Sequence, residues 1–276
     1  MCKRMKYAVC NEMFEPSSLV KSCRLAVQYG FSGMELAPYT LSDSPQLMPK
    51  AARTEVRKIL MDFGLEFVGF HWLLNSPAGL HLTTQDTANR NNTWTFMKYL
   101  VEFCAEMGGG VMVLGSGKKR NADGIPVETA LHYLKEGLHM LAPFAEQGNT
   151  TILIEPLSTE STNVINTLEA AEKLICEIDQ PAVSGIFDFH NCTEEEFSWS
   201  NLIERFKGII KHVHFNEIDG GYPGSGNSDY IPAFQALKKI GYSGWISLEL
   251  FNQKEPPASI LQKTRTFITH LESQII

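Results

Sequence analysis

Acidic and imidazole side chains stand at the ends of several short apolar runs, where they could do metal or proton chemistry. Six such runs finish in one of these residues, namely Glu35, His71, Glu155, Asp188, His214 and Glu249. A single buried polar side chain in such a place is more often a paired structural group than a ligand. Six occurrences at the same point of successive runs favour a shared function.

Three carboxylates and one imidazole held close together would repel one another unless a cation neutralised them. We therefore predict one divalent metal ion bound among these strand-end residues. Oxygen-rich ligation with a single imidazole favours Mn²⁺, Mg²⁺ or Co²⁺, with Zn²⁺ as a less favoured choice. Structural zinc sites prefer sulfur and several imidazoles, and Cys10 is the only cysteine at a predicted strand end.

The segments that must position these residues alternate regularly along the chain. Runs rich in Val, Ile, Leu and Phe predict strands at 6–10, 31–36, 66–72, 110–115, 151–155, 183–188, 209–215 and 245–250. Amphipathic stretches predict helices near 17–29, 50–63, 86–107, 127–147, 166–178, 194–206, 232–240 and 258–274. This alternation predicts an α/β protein, a single (β/α)8 TIM barrel domain over residues 1–276, and such barrels need roughly 250 residues.

An open, doubly wound sheet is the competing architecture. It usually carries a glycine-rich phosphate loop after its first strand, whereas this first strand runs into Asn11, Glu12 and Met13. The later segment GSGKKR is not a P-loop, because no Ser or Thr follows Lys118. The sequence therefore favours the closed barrel.

Local signals place several helix boundaries. Asp86 and Asn166 are predicted to begin helices, and Pro126 stands where a first-turn proline is tolerated. Glycines are predicted to follow helix ends at Gly30, Gly64, Gly148 and Gly241.

Composition bears on partners and compartment. The 276 residues include 24 Lys+Arg and 31 Asp+Glu, and the net charge of -7 argues against a nucleic-acid partner. No segment approaches the roughly 20 apolar residues of a membrane span, and no N-terminal run resembles a signal peptide. Six scattered cysteines without a CxxC motif favour reduced thiols. We expect a cytoplasmic protein without a membrane partner.

At its strand-end residues the chain resembles the xylose isomerase-like, or sugar phosphate isomerase/epimerase, superfamily, over essentially its whole length. The segments that carry the resemblance are FSGMELAP (31–38), GFHWLLNSPAGLHL (69–82), VMVLGSGKKR (111–120), ILIEPLSTESTNVINT (152–167), FDFHN (187–191), HVHFNEIDGGYPGSGNSDY (212–230) and GWISLELF (244–251). The EPL element, the HxH element before PGxG and the terminal SLE element are specific together, although each is weak alone.

The resemblance implies a ligand set and a mechanism. In ketose 3-epimerases of this superfamily one metal is held by Glu, Asp, His and Glu, which match Glu155, Asp188, His214 and Glu249 here. His214 matches as the second His of its element, and His212 is expected to point elsewhere. The metal would polarise the carbonyl of an open-chain sugar and stabilise an enediolate, while Glu155 and Glu249 move the proton.

The resemblance and the strand positions also suggest which residues contact a small sugar or polyol substrate. Glu35 and His71 are expected to bind hydroxyls, and His190 is expected to bind a substrate oxygen. Glu160 and Arg120 are weaker candidates, because charged loop residues are commonly solvated.

The chain also departs from the ketose 3-epimerase pattern. Asn191 stands where those enzymes carry a His, and the loop after His214 lacks their Arg. The prediction is therefore a sugar isomerase or epimerase of unknown substrate, with a metal-dependent dehydratase of a keto-sugar or inosose as the alternative. An apurinic-site endonuclease with three zinc ions is less favoured, because no His ends strand four.

Two questions stay open from the sequence. The sequence does not decide whether the substrate is phosphorylated. Two places could bind a phosphate, namely Lys118, Lys119 and Arg120 after strand four, and the glycines of 220–226. Association into a homo-oligomer is expected of barrels of this kind, but no interface is evident.

Overall fold

The computed structural model describes residues 5–275, in which eight parallel strands close into a barrel. The strands are β1 (Lys6–Cys10), β2 (Gly33–Leu36), β3 (Glu66–Phe70), β4 (Gly110–Leu114), β5 (Thr150–Ile154), β6 (Val183–Asp188), β7 (Ile210–Phe215) and β8 (Trp245–Leu248). Each strand pairs with its sequence neighbours, and β1 also pairs with β8. This closed, wholly parallel order confirms the predicted (β/α)8 barrel and excludes the open sheet.

Residues 5–275 contain eight α-helices, seven that connect successive strands and one that follows β8. They are α1 (Leu19–Gln28), α2 (Lys50–Asp62), α3 (Thr87–Met107), α4 (Val127–Gln147), α5 (Leu168–Ile178), α6 (Trp199–Arg205), α7 (Ile231–Lys239) and α8 (Pro257–Gln274). Most strand residues are buried, because helices cover the outer face and side chains fill the interior. No α-helix among residues 5–275 is long and apolar enough to cross a membrane.

Two predicted helix starts need correction. Thr167, rather than Asn166, caps α5, since its Oγ1 accepts the N–H of Ala170 at 3.2 Å. The Asn166 amide instead donates to two loop carbonyls. Helix α6 begins five residues later than predicted, at Trp199, because Ser198 supplies its N-cap. Asp86 caps α3 as predicted.

Four strands end earlier than predicted, β3 at Phe70, β4 at Leu114, β5 at Ile154 and β8 at Leu248. After β3, Trp72 has a left-handed φ of 50°, which a strand residue does not adopt. The pairing of β2 with β3 shifts by one residue between Met34 and Glu35, and such irregularities redirect the side chain that follows. These departures lie at the carboxyl ends of the strands, where the polar residues gather.

Candidate active site

Four consecutive strands, β5 to β8, deliver the four predicted ligands to one place. Glu155 and Glu249 come directly after β5 and β8, while Asp188 ends β6 and His214 lies near the end of β7. All four residues are buried, and one ligand atom from each lies within 4.8 Å of the others. The barrel therefore brings together a set of three carboxylates and one imidazole.

The His214 ring faces two groups of carboxylates through its two nitrogens. Its Nε2 lies 3.1 Å from Glu35 Oε1 beneath the site. Its Nδ1 lies 2.8 Å from Glu249 Oε2, 3.5 Å from Glu155 Oε1 and 3.6 Å from Asp188 Oδ2. Since Nε2–H donates to Glu35, Nδ1 is the nitrogen left to face a ligand.

Three polar atoms at the centre of this cluster make no well-oriented hydrogen bond among the described residues, although two of them lie 2.8 Å apart. They are Glu155 Oε1, His214 Nδ1 and Glu249 Oε2. Buried polar atoms are almost always satisfied, so three orphans facing one another need a common partner. Oxygen donors with one imidazole nitrogen fit a divalent cation, and these residues are suited to hold one.

Electrostatics lead to the same conclusion. Burial raises the pKa of Glu155 to about 8, helped by the charges of Asp188 and Glu249. Burial likewise raises the pKa of Glu249. Asp188 behaves differently, because its interaction with His214 outweighs burial and lowers its pKa. Without a cation the cluster would bind protons, and a divalent ion neutralises it while the carboxylates stay ionised.

Glu35 and His212 form a layer beneath the four ligands. The Glu35 carboxylate accepts from His212 Nε2 at 2.7 Å and from His214 Nε2 at 3.1 Å. The expectation that His212 points elsewhere is wrong, because β7 is regular there and residues two apart share a face. Glu35 is fully buried and is absent from the cavity wall. It therefore positions His214, in place of the substrate contact that the sequence predicted.

The Asp188 carboxylate is held by the residues that follow it. His190 N donates to Asp188 Oδ1 at 2.7 Å, and Asn191 Nδ2 donates to Asp188 Oδ2 at 3.0 Å. The Cys192 thiol donates to the Asp188 carbonyl oxygen at 2.9 Å, which is a packed role. Asn191, where the sequence departs from the ketose 3-epimerases, thus fixes a candidate ligand.

A cavity of about 370 Å³ opens above this cluster. Its wall includes Glu155 and Glu249 but neither Asp188 nor His214. The two glutamates can therefore contact a bound molecule as well as an ion, whereas the other two are placed to hold an ion only. This division agrees with the expectation that Glu155 and Glu249 move a proton, while Asp188 and His214 hold the ion.

His71 and His190 also line the cavity, as their predicted substrate contacts require. His71 Nε2 lies 2.6 Å from Glu12 Oε2, and although burial opposes protonation, this carboxylate raises the pKa of His71 to about 9. The His190 ring stacks on Phe251 with centroids 4.6 Å apart, and its Nδ1–H donates to the Ile218 carbonyl oxygen. Its Nε2 is the nitrogen available to the cavity.

The other two predicted substrate contacts lie outside the cavity wall. Arg120 is completely buried, and its guanidinium donates to the backbone oxygens of Leu114, Glu155 and Ile165. Arg120 therefore supports the backbone at Glu155, in place of the substrate contact that the sequence predicted. Glu160 is exposed on the loop after β5 and does not line the cavity.

Sequence reasoning missed three participants. Glu12, the partner of His71, follows the end of β1 and so obeys the same strand-end rule. Trp72 and Phe251 form an aromatic side of the cavity, with ring centroids 6.2 Å apart. No sequence pattern identified these rings, because an aromatic residue near a strand end is usually part of the core.

Comparison with known proteins places this site in a family context. The chain is 24% identical over 261 residues to a 3-dehydro-D-guloside 4-epimerase of Escherichia coli (strain K12), covering 92% of this chain and 95% of that protein. It is 23% identical over 232 residues to a probable ketose 3-epimerase of Synechocystis, covering 82% and 76%. These relatives are isomerase-class enzymes, as predicted.

Solved structures share the fold. A 3-keto-D-glucoside 4-epimerase from E. coli matches with a TM-score of 0.82 at 22% identity, covering 98% of this chain and 100% of that one. The family model described as xylose isomerase-like TIM barrel matches residues 23–271. The chain therefore belongs to the xylose isomerase-like TIM barrel family.

Proposed function

We propose that the chain is a metal-dependent sugar isomerase or epimerase that works through an enediolate, with Glu155 and Glu249 moving the proton. The observation that carries the proposal is the convergence of three unpartnered atoms, Glu155 Oε1, Glu249 Oε2 and His214 Nδ1, where the two glutamates line the cavity and His214 lies behind them. The sugar-epimerase names of the relatives supply the substrate class.

Each residue has a role that follows from its position. His214 and Asp188 hold the ion, because neither reaches the cavity wall. A bound divalent cation supplies Lewis acidity that polarises a sugar carbonyl and acidifies the adjacent C–H. Glu155 and Glu249 project from strands three apart in the closed barrel, so their carboxylates approach a sugar carbon from different sides. One removes the proton and the other returns it, which inverts a stereocentre or shifts the carbonyl.

Both glutamates would be ionised near neutral pH once a cation is bound. Without a cation, burial raises the pKa of Glu155 to about 8 and also raises that of Glu249. A bound cation would lower both pKa values, so that the carboxylates are free to accept a proton. His71 and His190, on the cavity wall, orient the substrate oxygens by hydrogen bonds.

The test is proton exchange at carbon in D₂O. Protein stripped with a chelator is reloaded with Mn²⁺, Mg²⁺, Co²⁺ or Zn²⁺ and mixed with ketoses, aldoses and inososes, and exchange is followed by NMR. We expect one bound metal per chain, exchange with at least one sugar, and a fall of roughly 10²- to 10⁴-fold in Glu155→Gln and Glu249→Gln. Glu146→Gln, an exposed position near the end of α4, is the matched control.

Four outcomes would contradict the proposal. No exchange with any sugar would remove the enediolate, and unchanged exchange in Glu155→Gln would remove the assigned base. A product lighter by one water would identify the dehydratase alternative, and three zinc ions per chain would favour the endonuclease. Asp188→Asn tests metal binding, because Asp188 does not line the cavity. It should lower metal affinity and activity together.

A further inference from the structure

The loop after β4 packs against Glu155 at its start and carries two lysines further on. Gly115 packs so tightly against this glutamate that a Cβ there would lie 2.1 Å from Glu155 Oε2. Ser116 then turns the chain with a left-handed φ of 47°, and a short 3-10 segment, Gly117–Lys119, follows. Lys118 and Lys119 therefore follow the packed Gly115 by a short, tightly turned connection, and both belong to the cavity wall.

Both lysines line the cavity, and neither has a partner for its ammonium group within residues 5–275. Lys119 is half-buried and Lys118 is exposed. Some other lysines are paired, such as Lys239 with Glu204 at 2.6 Å and Lys263 with Glu255 at 2.7 Å. Two unpaired cations side by side on a cavity wall are notable in a protein with a net charge of -7.

The remaining charges of the cavity do not neutralise these lysines. The carboxylates on its wall are Glu155 and Glu249, which belong to the proposed metal cluster. His71 already has the Glu12 carboxylate as its partner. With a divalent cation engaged by the glutamates, the wall beside β4 carries positive charge that a bound molecule can balance.

We propose that Lys118 and Lys119 form an anion subsite, which binds a carboxylate or phosphate carried by the substrate at the end remote from its reacting carbon. The proposal rests on the proposed function and names a substrate class for it, a sugar acid or a sugar phosphate. The cavity of about 370 Å³ has room for a monosaccharide with one such substituent. Trp72 and Phe251 provide an aromatic surface for the C–H face of the sugar.

The test compares binding of three probes that differ at one carbon: D-fructose, D-fructose 6-phosphate and D-fructuronate. Dissociation constants are measured by calorimetry on the Mn²⁺-loaded protein, in the wild type and in a Lys118→Ala/Lys119→Ala variant. The control is Lys173→Ala, an exposed lysine on α5. We expect at least one anionic probe to bind roughly 10- to 100-fold more tightly than D-fructose, as charged hydrogen bonds allow.

The double variant should lose this preference and bind D-fructose as the wild type does, and added salt should weaken the preference in the wild type. Preference for the phosphate identifies a sugar phosphate, and preference for the carboxylate identifies a sugar acid. Equal binding of all three probes, or a preference that survives in the double variant, would overturn the subsite. Because binding is measured without turnover, this failure is distinct from absent proton exchange, which would overturn the proposed function alone.

Discussion

Replacing Glu35 by Gln should weaken metal binding although Glu35 itself is no ligand. The carboxylate accepts one hydrogen bond from His212 Nε2 at 2.7 Å and one from His214 Nε2 at 3.1 Å. Burial raises its pKa, but the two histidines outweigh burial and hold the pKa well below the usual range, so Glu35 is ionised. A glutamine can accept from only one histidine, and its NH₂ group would then face the N–H of the other.

The loss of one charged hydrogen bond corresponds to about 1.5–3 kcal/mol, which is roughly 10- to 150-fold in an equilibrium constant. Residues that orient a metal-bound histidine typically contribute 10- to 100-fold in affinity. We therefore expect Glu35→Gln to bind Mn²⁺ about 10- to 100-fold more weakly, because the His214 ring loses its fixed orientation and tautomer.

Calorimetric titration of chelator-stripped protein with Mn²⁺ measures this change. Glu66→Gln is the matched control, since Glu66 is exposed, begins β3 and pairs with Lys6 at 3.3 Å. A folded Glu35→Gln variant with the Mn²⁺ affinity of the wild type would refute the reasoning, because His214 would then be positioned without Glu35.

Three other substitutions test the surrounding structure. Arg120→Met removes the donor to three backbone oxygens, of which those of Leu114 and Ile165 still accept from backbone N–H groups. The loss at the Glu155 oxygen should lower the free energy of unfolding by about 1–3 kcal/mol in urea titrations. Burial opposes protonation of His71, yet the Glu12 carboxylate raises the pKa of His71 to about 9. Protonated His71 therefore stabilises the folded state fully below about pH 6.5, and this contribution is lost as the pH rises through 9. Unfolding free energies from pH 6 to 10 should show this fall in the wild type and lack it in His71→Gln. Gly137→Ala places a Cβ 2.0 Å from the Trp94 ring and should destabilise by about 1–3 kcal/mol, whereas Gly208→Ala, with nothing within 4 Å, should change the melting temperature little.

The fold was predictable because its pattern is local and repeated. Each strand is an apolar run covered on both faces, and each helix is amphipathic, so the alternation required no knowledge of distant contacts. Errors arose where a tertiary contact decided a boundary. Asn166 has the chemistry of an N-cap, but two loop carbonyls bind its amide and leave Thr167 to cap the helix.

Part of the candidate site was predictable, because a residue at the carboxyl end of a strand must lie at the mouth of the barrel. Glu12 obeys the same rule and was missed, because its role depends on His71, 59 residues later in the chain. Arg120 and Glu160 were grouped together as loop charges, yet one is completely buried and the other exposed. Burial of a loop residue depends on which backbone oxygens fold over it, and sequence does not reveal this.

The sequence by itself determined the barrel and the four residues that converge at its mouth, since strand-end position in a closed parallel sheet is a one-dimensional property. Only the tertiary structure decided what each of these residues faces. It placed Glu155 and Glu249 on the cavity wall, set Asp188 and His214 behind them, and put Glu35 beneath His214. These assignments depend on side-chain directions and contacts between strands far apart in the chain, which spacing along the sequence does not encode.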